Sequence, residues 1–246
     1  MQNFYSLFKL GMKRRSRDFF IIFYSVVFPV VIITLLGYLT SKSYGNEFTS
    51  YEYYAIVMIP FCLLMGITSV AYAAADEKRM KTAYRYLIAP ISKTSLILSK
   101  FLSCVIALML CCILVLGVSR ICFHLPVNIN GVYLFGLLLC ESFAVTGLGL
   151  FFGLASKKFA VIQNFLNIPI IIFGFLGGAF FPVGSLNPTL SMIIGLSPLT
   201  WINRGIMNCL YMADVTILCI TSGVLLMIGV VFTGLTIRYF KKEAFL

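Results

Sequence analysis

The sequence predicts an all-α membrane protein with six transmembrane helices, an amphipathic N-terminal interfacial helix, and an outer re-entrant helical hairpin between helices 5 and 6. Three observations lead there. Of 246 residues, 61% are apolar and 11% charged, against about 45–50% and about 25% in soluble domains. A globule of this size has too little interior to hide so much apolar side chain. Six stretches reach the roughly 20 mostly apolar residues that a spanning helix needs: 19–39, 53–75, 101–119, 131–154, 159–181 and 215–237. Finally, the basic residues alternate between connections. Lys9, Lys13, Arg14, Arg15, Arg17, Lys78, Arg79, Lys81, Arg85, Lys93, Lys100, Lys157, Lys158, Arg238, Lys241 and Lys242 fall on one side, and only Lys42, Arg120 and Arg204 on the other. This asymmetry places both termini in the cytoplasm of a multi-pass cell-membrane protein and requires an even number of spans. The net charge of +11 therefore belongs to the lipid bilayer's inner surface and implies no nucleic-acid partner.

The amino terminus comes first. Phe4, Leu7, Phe8 and Met12 recur at helical spacing while Lys9, Lys13 and Arg14 point elsewhere, so residues 2–15 read as a helix lying in the headgroup plane. The 19–39 span is too long for a signal-peptide core and has no small-residue cleavage site after it, so it is expected to stay as an anchor. Pro29, Pro60 and Pro169 fall inside the first, second and fifth spans, where each removes a helical hydrogen bond and permits a kink.

The fourth span holds Glu141 about ten residues, hence roughly 15 Å, from its outer end. A carboxyl near the midplane is costly and is by default a functional-site hypothesis: a proton or ion relay, a contact to substrate, or a protonated group hydrogen-bonded to a neighbouring helix. Gly149 and Gly153 in the same span make a G-x-x-x-G compatible with close helix packing. In the fifth span Gln163, Asn167, Gly174, Gly177 and Gly178 project within about 100° of one another. Such a stripe either packs against another helix or lines a pathway.

The connection 182–214 is too apolar for a solvated loop, and Pro182, Pro188 and Pro198 with Gly184 and Gly195 cut it into pieces too short to span. A broken hairpin dipping into the outer leaflet fits both facts. Cys122 and Cys209 fall near outer ends, but nothing in the sequence sets their distance. The other cysteines lie mostly within apolar runs and behave as small hydrophobes. His124 stands alone on an outer connection, and no cluster of metal-ligand spacing occurs.

No phosphate loop G-x-x-x-x-G-K-[ST], H-E-x-x-H or G-x-S-x-G is present, so no recognisable motif lets the chain bind or split ATP or act as a hydrolase. The inner connection 76–95 is nevertheless built for contact. Asp76, Glu77, Lys78, Arg79, Met80, Lys81, Thr82, Ala83, Tyr84, Arg85, Tyr86, Leu87, Ile88, Ala89 and Pro90 read as a short amphipathic helix that stops before a proline. This segment resembles the coupling helix of ABC-2 type transporter permeases, with Glu77, Thr82, Leu87, Pro90 and Ile91 at matching positions and Lys81 where the family usually has Gly. A second match is Gly177-Gly178-Ala179-Phe180-Phe181-Pro182, then Leu186-Asn187-Pro188, then Ser197-Pro198-Leu199-Thr200 with Arg204, which is similar to the family's outer hairpin.

The resemblance implies a single transmembrane domain over 1–246, the permease half of an ATP-driven exporter. It implies a second permease copy or a related permease, and two ATP-binding cassette subunits that carry the ATP and Mg while this chain binds no cofactor. Glu77, Lys78, Arg79, Thr82, Tyr86, Leu87 and Pro90 would couple to those subunits. The stripe from Gln163 to Gly178 would face the pathway or the partner permease. The implied cargo is an amphiphile: a drug, peptide, lipid or lipid-linked glycan. The competing reading is a proton-coupled secondary transporter using Glu141, which should show inverted repeats; a broken hairpin occurs only in the second half.

Overall fold

The computed structural model describes residues 2–44, 49–79, 91–123, 125, 131–155, 159–182, 188–212 and 214–239. Among them every regular element is helical. Helix α1 is Gln2–Arg15. A turn at residues 16–18 leads to α2, Phe19–Ile22, which passes through a π-helical turn, Phe23–Val27, into α3, Phe28–Leu39. Then come α4, Ser50–Arg79; α5, Lys93–Phe123; α6, Gly131–Ala155; α7, Phe159–Leu176; α8, Pro188–Ile194; α9, Pro198–Met207, followed by a second π turn, Asn208–Met212; and α10, Thr216–Tyr239. Of these, α4, α5, α6 and α10 are long and apolar enough to cross a membrane, and shorter apolar helical stretches cover Phe23–Leu39 and Gln163–Leu176. The chain is an all-α membrane protein.

Local chemistry sets the boundaries. The Tyr-rich start of α4 is a capping box: the Glu52 amide donates to Thr49 Oγ1 and the Thr49 amide to Glu52 Oε2, both at 3.3 Å. Asp18 Oδ1 accepts from the Ile21 amide at 3.4 Å, Ser92 Oγ from the Ser95 amide at 3.2 Å, and Asp214 Oδ1 from the Thr216 amide at 2.9 Å. The Thr216 amide, followed by its side chain, holds the exposed Asp214 carboxyl below its usual range. The capping box has a direct consequence. Thr49→Ala should lower the stability of the folded protein by about 1 kcal/mol, read as a drop in apparent Tm in detergent, and Glu52→Ala in that background should lower it further, because the backbone amide at position 49 still donates to the Glu52 carboxyl.

Pro29 explains the π turn. Its ring cannot sit above the carbonyl of Ser25 in a regular α-helix, and the wider turn at Phe23–Val27 absorbs the clash. The first predicted span, 19–39, is thus helical throughout but not of one helix type. Three other helices depart from the sequence reading. Helix α5 begins at Lys93 and ends at Phe123, well outside 101–119. Helix α4 carries on to Arg79, so residues 76–79 are its last turns and not the start of a separate helix. Helix α7 stops at Leu176, short of 181, because Gly178 adopts φ 78°.

Helix α4 is the most deeply buried of the long helices and α10 the most exposed. The tightest pairings are α6 with α10 and with α4, and both are made by glycine. A Cβ on Gly147 would lie 2.7 Å from the Gly229 carbonyl oxygen, and one on Gly149 2.7 Å from Val70 Cβ. Gly153 similarly abuts Ala71 and Ala74. Lipid gives helices no hydrophobic reason to associate, so close backbone approach and the dispersion it allows must supply the attraction. The expected G-x-x-x-G packing therefore has a specific partner, α4. The amphipathic α1 leans on α5 through Gly11, where a Cβ would meet Ser103 Oγ at 2.7 Å. Phe4, Leu7, Phe8 and Met12 are half-buried and Lys9 and Lys13 exposed, as the helical spacing predicts, but Arg14, expected on the exposed side, is half-buried as well.

Candidate functional site

The second half of the chain assembles around the end of α7. Helix termini leave carbonyls without helical partners, and here each is met. Gly178 is the left-handed residue of a Schellman cap: its amide donates to the Phe175 carbonyl at 3.2 Å, and the Ala179 amide to Gly174 at 2.9 Å. The remaining acceptors are served from α9 and its preceding residue. Ser197 Oγ donates to the Phe173 carbonyl at 3.1 Å, Thr200 Oγ1 to Leu176 at 3.3 Å, and Asn203 Nδ2 to Gly177 at 2.8 Å. From α4, the Tyr53 hydroxyl donates to the Gly178 carbonyl at 2.9 Å and the Tyr54 hydroxyl to Phe180 at 3.5 Å.

This gives a physical meaning to the two sequence clusters at 177–182 and 197–204. The polar residues 197, 200 and 203 recur every third position, hence on one face of a short helix, and that face closes the end of α7. The apolar side of the same helix, with Leu199, Ile202 and Ile206, is wholly buried. Pro198 starts α9 in its first turn, Pro188 starts α8, and Trp201 Nε1 donates to the Gly195 carbonyl at 2.8 Å across the turn between them. Pro182 and Arg204 are exposed. Asn203, Tyr53 and Tyr54 were not singled out from sequence; the i, i+3, i+6 polar spacing from Ser197 was the available signal for Asn203.

The stripe on α7 points into the subunit over most of its length. Asn167 Oδ1 accepts from Thr68 Oγ1 on α4 at 2.8 Å, Gly174 rests against the Phe61 ring, and a Cβ on Gly177 would stand 2.7 Å from Leu199 Cδ2. Gln163 is half-buried at the other end. The opposite side of α7 is an exposed apolar surface of Phe165, Ile168, Ile172 and Phe175.

Glu141 is completely buried in α6, and among the described residues neither of its carboxyl oxygens has a hydrogen-bond partner. It lies within electrostatic range of Cys62 on α4 and Cys112 on α5. These two thiols also border a narrow gap with Ser25, Pro29 and Cys111, where the π turn meets α4 and α5. The two helices that flank the carboxyl, α4 and α5, are therefore the same that receive the proline-distorted start of the bundle. Among the described residues no disulfide joins the cysteines; Cys122 is exposed and Cys209 buried. Among the described residues no group of His, Cys, Asp and Glu is placed to hold a metal.

Thr82, Tyr86, Leu87 and Pro90 of the coupling segment lie outside the described residues, as do the side chains of Glu77, Lys78 and Arg79. His124 does too.

The family model of the ABC-2 type transporter matches residues 2–211, from α1 through the second π turn. The chain belongs to the ABC-2 type transporter family. A search of curated proteins finds no match. As an ABC-2 protein the chain is the membrane permease of an ABC transporter, a transport subunit and not itself the catalytic ATPase, and it associates with ATP-binding cassette subunits. The match spans both the α7–α9 closure and the polypeptide between α4 and α5, the two regions the sequence marked independently.

Proposed function

We propose that the chain is one permease of an exporter in which two permeases, identical or related, pair with two ATP-binding subunits that bind ATP and Mg. The whole sequence forms one transmembrane domain, with α2–α3 and α7 completing six crossings, α8 and α9 forming an outer re-entrant hairpin, and both termini cytoplasmic in the cell membrane. The observation that carries this reading is the family match, supported by the charge asymmetry of the connections. Residues 76–95 dock on the ATP-binding subunits through Glu77, Lys78, Arg79, Thr82, Tyr86, Leu87 and Pro90. Closure of those subunits pushes on α4, whose continuous helix from Ser50 to Arg79 transmits the movement to Phe61, Thr68 and the two tyrosines that hold α7. Asn167, Gly174, Gly177 and Gly178 are thus the side of α7 that α4 moves, and the exposed Phe165–Phe175 surface meets the partner permease or the cargo. The cargo is an amphiphile, namely a drug, peptide, lipid or lipid-linked glycan, leaving the cytoplasm or inner leaflet.

The experiment is gentle purification of the full chain from its native membrane with identification of what accompanies it in stoichiometric amount. A subunit bearing a phosphate loop is expected, lost when 77–90 is altered. Isolation alone, with transport in vesicles lacking ATP, would overturn the reading.

Buried Glu141 favours a second reading, proton-coupled transport. An ionised carboxylate in this apolar surround costs several kcal/mol, so a relay there would have to gain and lose its proton each cycle. Glu141→Gln separates the two. In an ATP-driven exporter it should leave the transport rate within about twofold, because the amide fills the same space. Transport falling about a hundredfold or more with normal accumulation would assign Glu141 to proton coupling, the order of effect general acid–base groups have.

A further inference from the structure

The turn between α1 and α2 encloses a feature that neither the family match nor the coupling scheme uses. A cavity of about 550 Å³ is lined by Leu10, Lys13, Arg14 and Arg15 of α1, Arg17 and Asp18 of the turn, and Tyr72, Ala73 and Asp76 of α4. Its lining carries four cations and two carboxylates, an excess of two positive charges whatever pairs form within. A second recess, between α1 and α5, shares Leu10 and Arg14 and adds Leu7, Leu96 and Lys100. The walls are therefore basic at the level of the turn and apolar beside it. The chain then runs directly into Phe19 and Phe23, both exposed, the first residues of the lipid-facing span.

Each part has a structural cause. Asp18 caps α2 through the Ile21 amide, which fixes the turn, and Arg15 is 95% buried where α1 ends (5% exposed). Lys13 and Arg17 are exposed. A guanidinium offers paired N–H donors matched to phosphate oxygens, and Lys a point charge beside it. Tyr72, 41% exposed, adds an amphipathic ring at headgroup level.

We propose that this cavity holds the phosphate of an anionic phospholipid from the inner leaflet, its acyl chains lying along the Phe19–Phe23 side. This rests on the orientation given above, with Lys13 to Arg17 at the inner face. The bound lipid would brace α1 against α4 next to the segment that meets the ATP-binding subunits. Lipid is favoured over free phosphate because the basic wall is continuous with an exposed apolar one, which inorganic phosphate has no use for.

The test measures lipid retention by the full chain after reconstitution in vesicles of phosphatidylglycerol mixed with phosphatidylcholine, gentle extraction, and native mass spectrometry. The expected result is selective retention of phosphatidylglycerol, weakened about tenfold or more in the double variant Lys13→Gln/Arg17→Gln and unchanged in Lys93→Gln/Arg238→Gln, which removes two inner charges elsewhere. Excess inorganic phosphate should not displace the lipid. Equal loss in both double variants would reduce the effect to diffuse surface charge and overturn the site. Displacement by phosphate would make it an ion site and overturn the lipid assignment. No selectivity in the unaltered protein overturns the proposal without any variant. The reading needs no ATP-binding subunit, so its failure is distinct from failure of the exporter scheme.

Discussion

Gly229→Val is expected to lower the apparent Tm of the purified protein by roughly 5–10 °C and to cut its accumulation in the membrane. A Cβ at Gly229 would lie 2.7 Å from the carbonyl carbon and 2.8 Å from the carbonyl oxygen of Phe143, and 3.0 Å from the Ala144 amide. These are backbone atoms, so no rotamer change relieves the contact, and α6 and α10 must separate. Overpacking of this kind costs about 1–3 kcal/mol, and about 2–4 °C accompanies each kcal/mol at this chain length. The comparison is Gly223→Ala and Gly234→Ala on the same helix, where nothing lies within 4 Å of the added atom; both should be neutral or gain up to about 1 kcal/mol from helix propensity. Equal destabilisation at all three positions would show that helix composition, and not the α6–α10 contact, sets the cost.

Arg79→Pro should separate ATP hydrolysis from transport. Arg79 is the last described residue of α4, and proline there clashes with the preceding turn and interrupts the helix that leads from the bundle to the proposed docking segment. The assembled complex is expected to keep ATPase activity while transport falls at least about tenfold, with membrane insertion unchanged because the spans are untouched. Glu77→Lys and Thr82→Pro probe the same junction by charge and by backbone. Transport assayed in vesicles against ATP turnover gives the ratio that matters, since a complex that merely fails to assemble loses both. Unchanged transport in all three variants would sink the docking role of 76–95.

Much of this was legible in one dimension. Hydropathy and composition give the membrane class because they are sums along the chain, and a helix in lipid must satisfy its backbone internally wherever it packs. The kink at Pro29 could be anticipated, although not that a π turn would take it up. The sequence placed Gly177 and Gly178 on the stripe of a span running to 181, and the end of α7 moved to 176 once Gly178 was seen to be the left-handed cap. The α7 stripe was harder. Its angular cluster is plain in the sequence, but Thr68 and Phe61, which it meets, lie on α4, whose own sequence looks alike on every side. Cys62 and Cys112 beside Glu141 gave no sign at all, since a cysteine in an apolar run looks the same next to lipid or next to a carboxyl.

What the sequence by itself determined is the all-α membrane class, the family, and the two stretches, at 76–92 and 177–204, that mark it. Only the tertiary structure decided which neighbours those residues have: that polar side chains of α9 close the carbonyl end of α7, that α4 packs against α3, α5, α6, α7 and α9, and that Lys13 to Arg17 wall a cavity with Asp76. The reason is the solvent. In water, burial and polarity divide each helix into an inner and an outer face that can be read off the sequence; in lipid both faces are apolar. The partner of a helix is then chosen by steric fit at a few glycines and by a handful of hydrogen bonds, and those exist only once the helices are side by side.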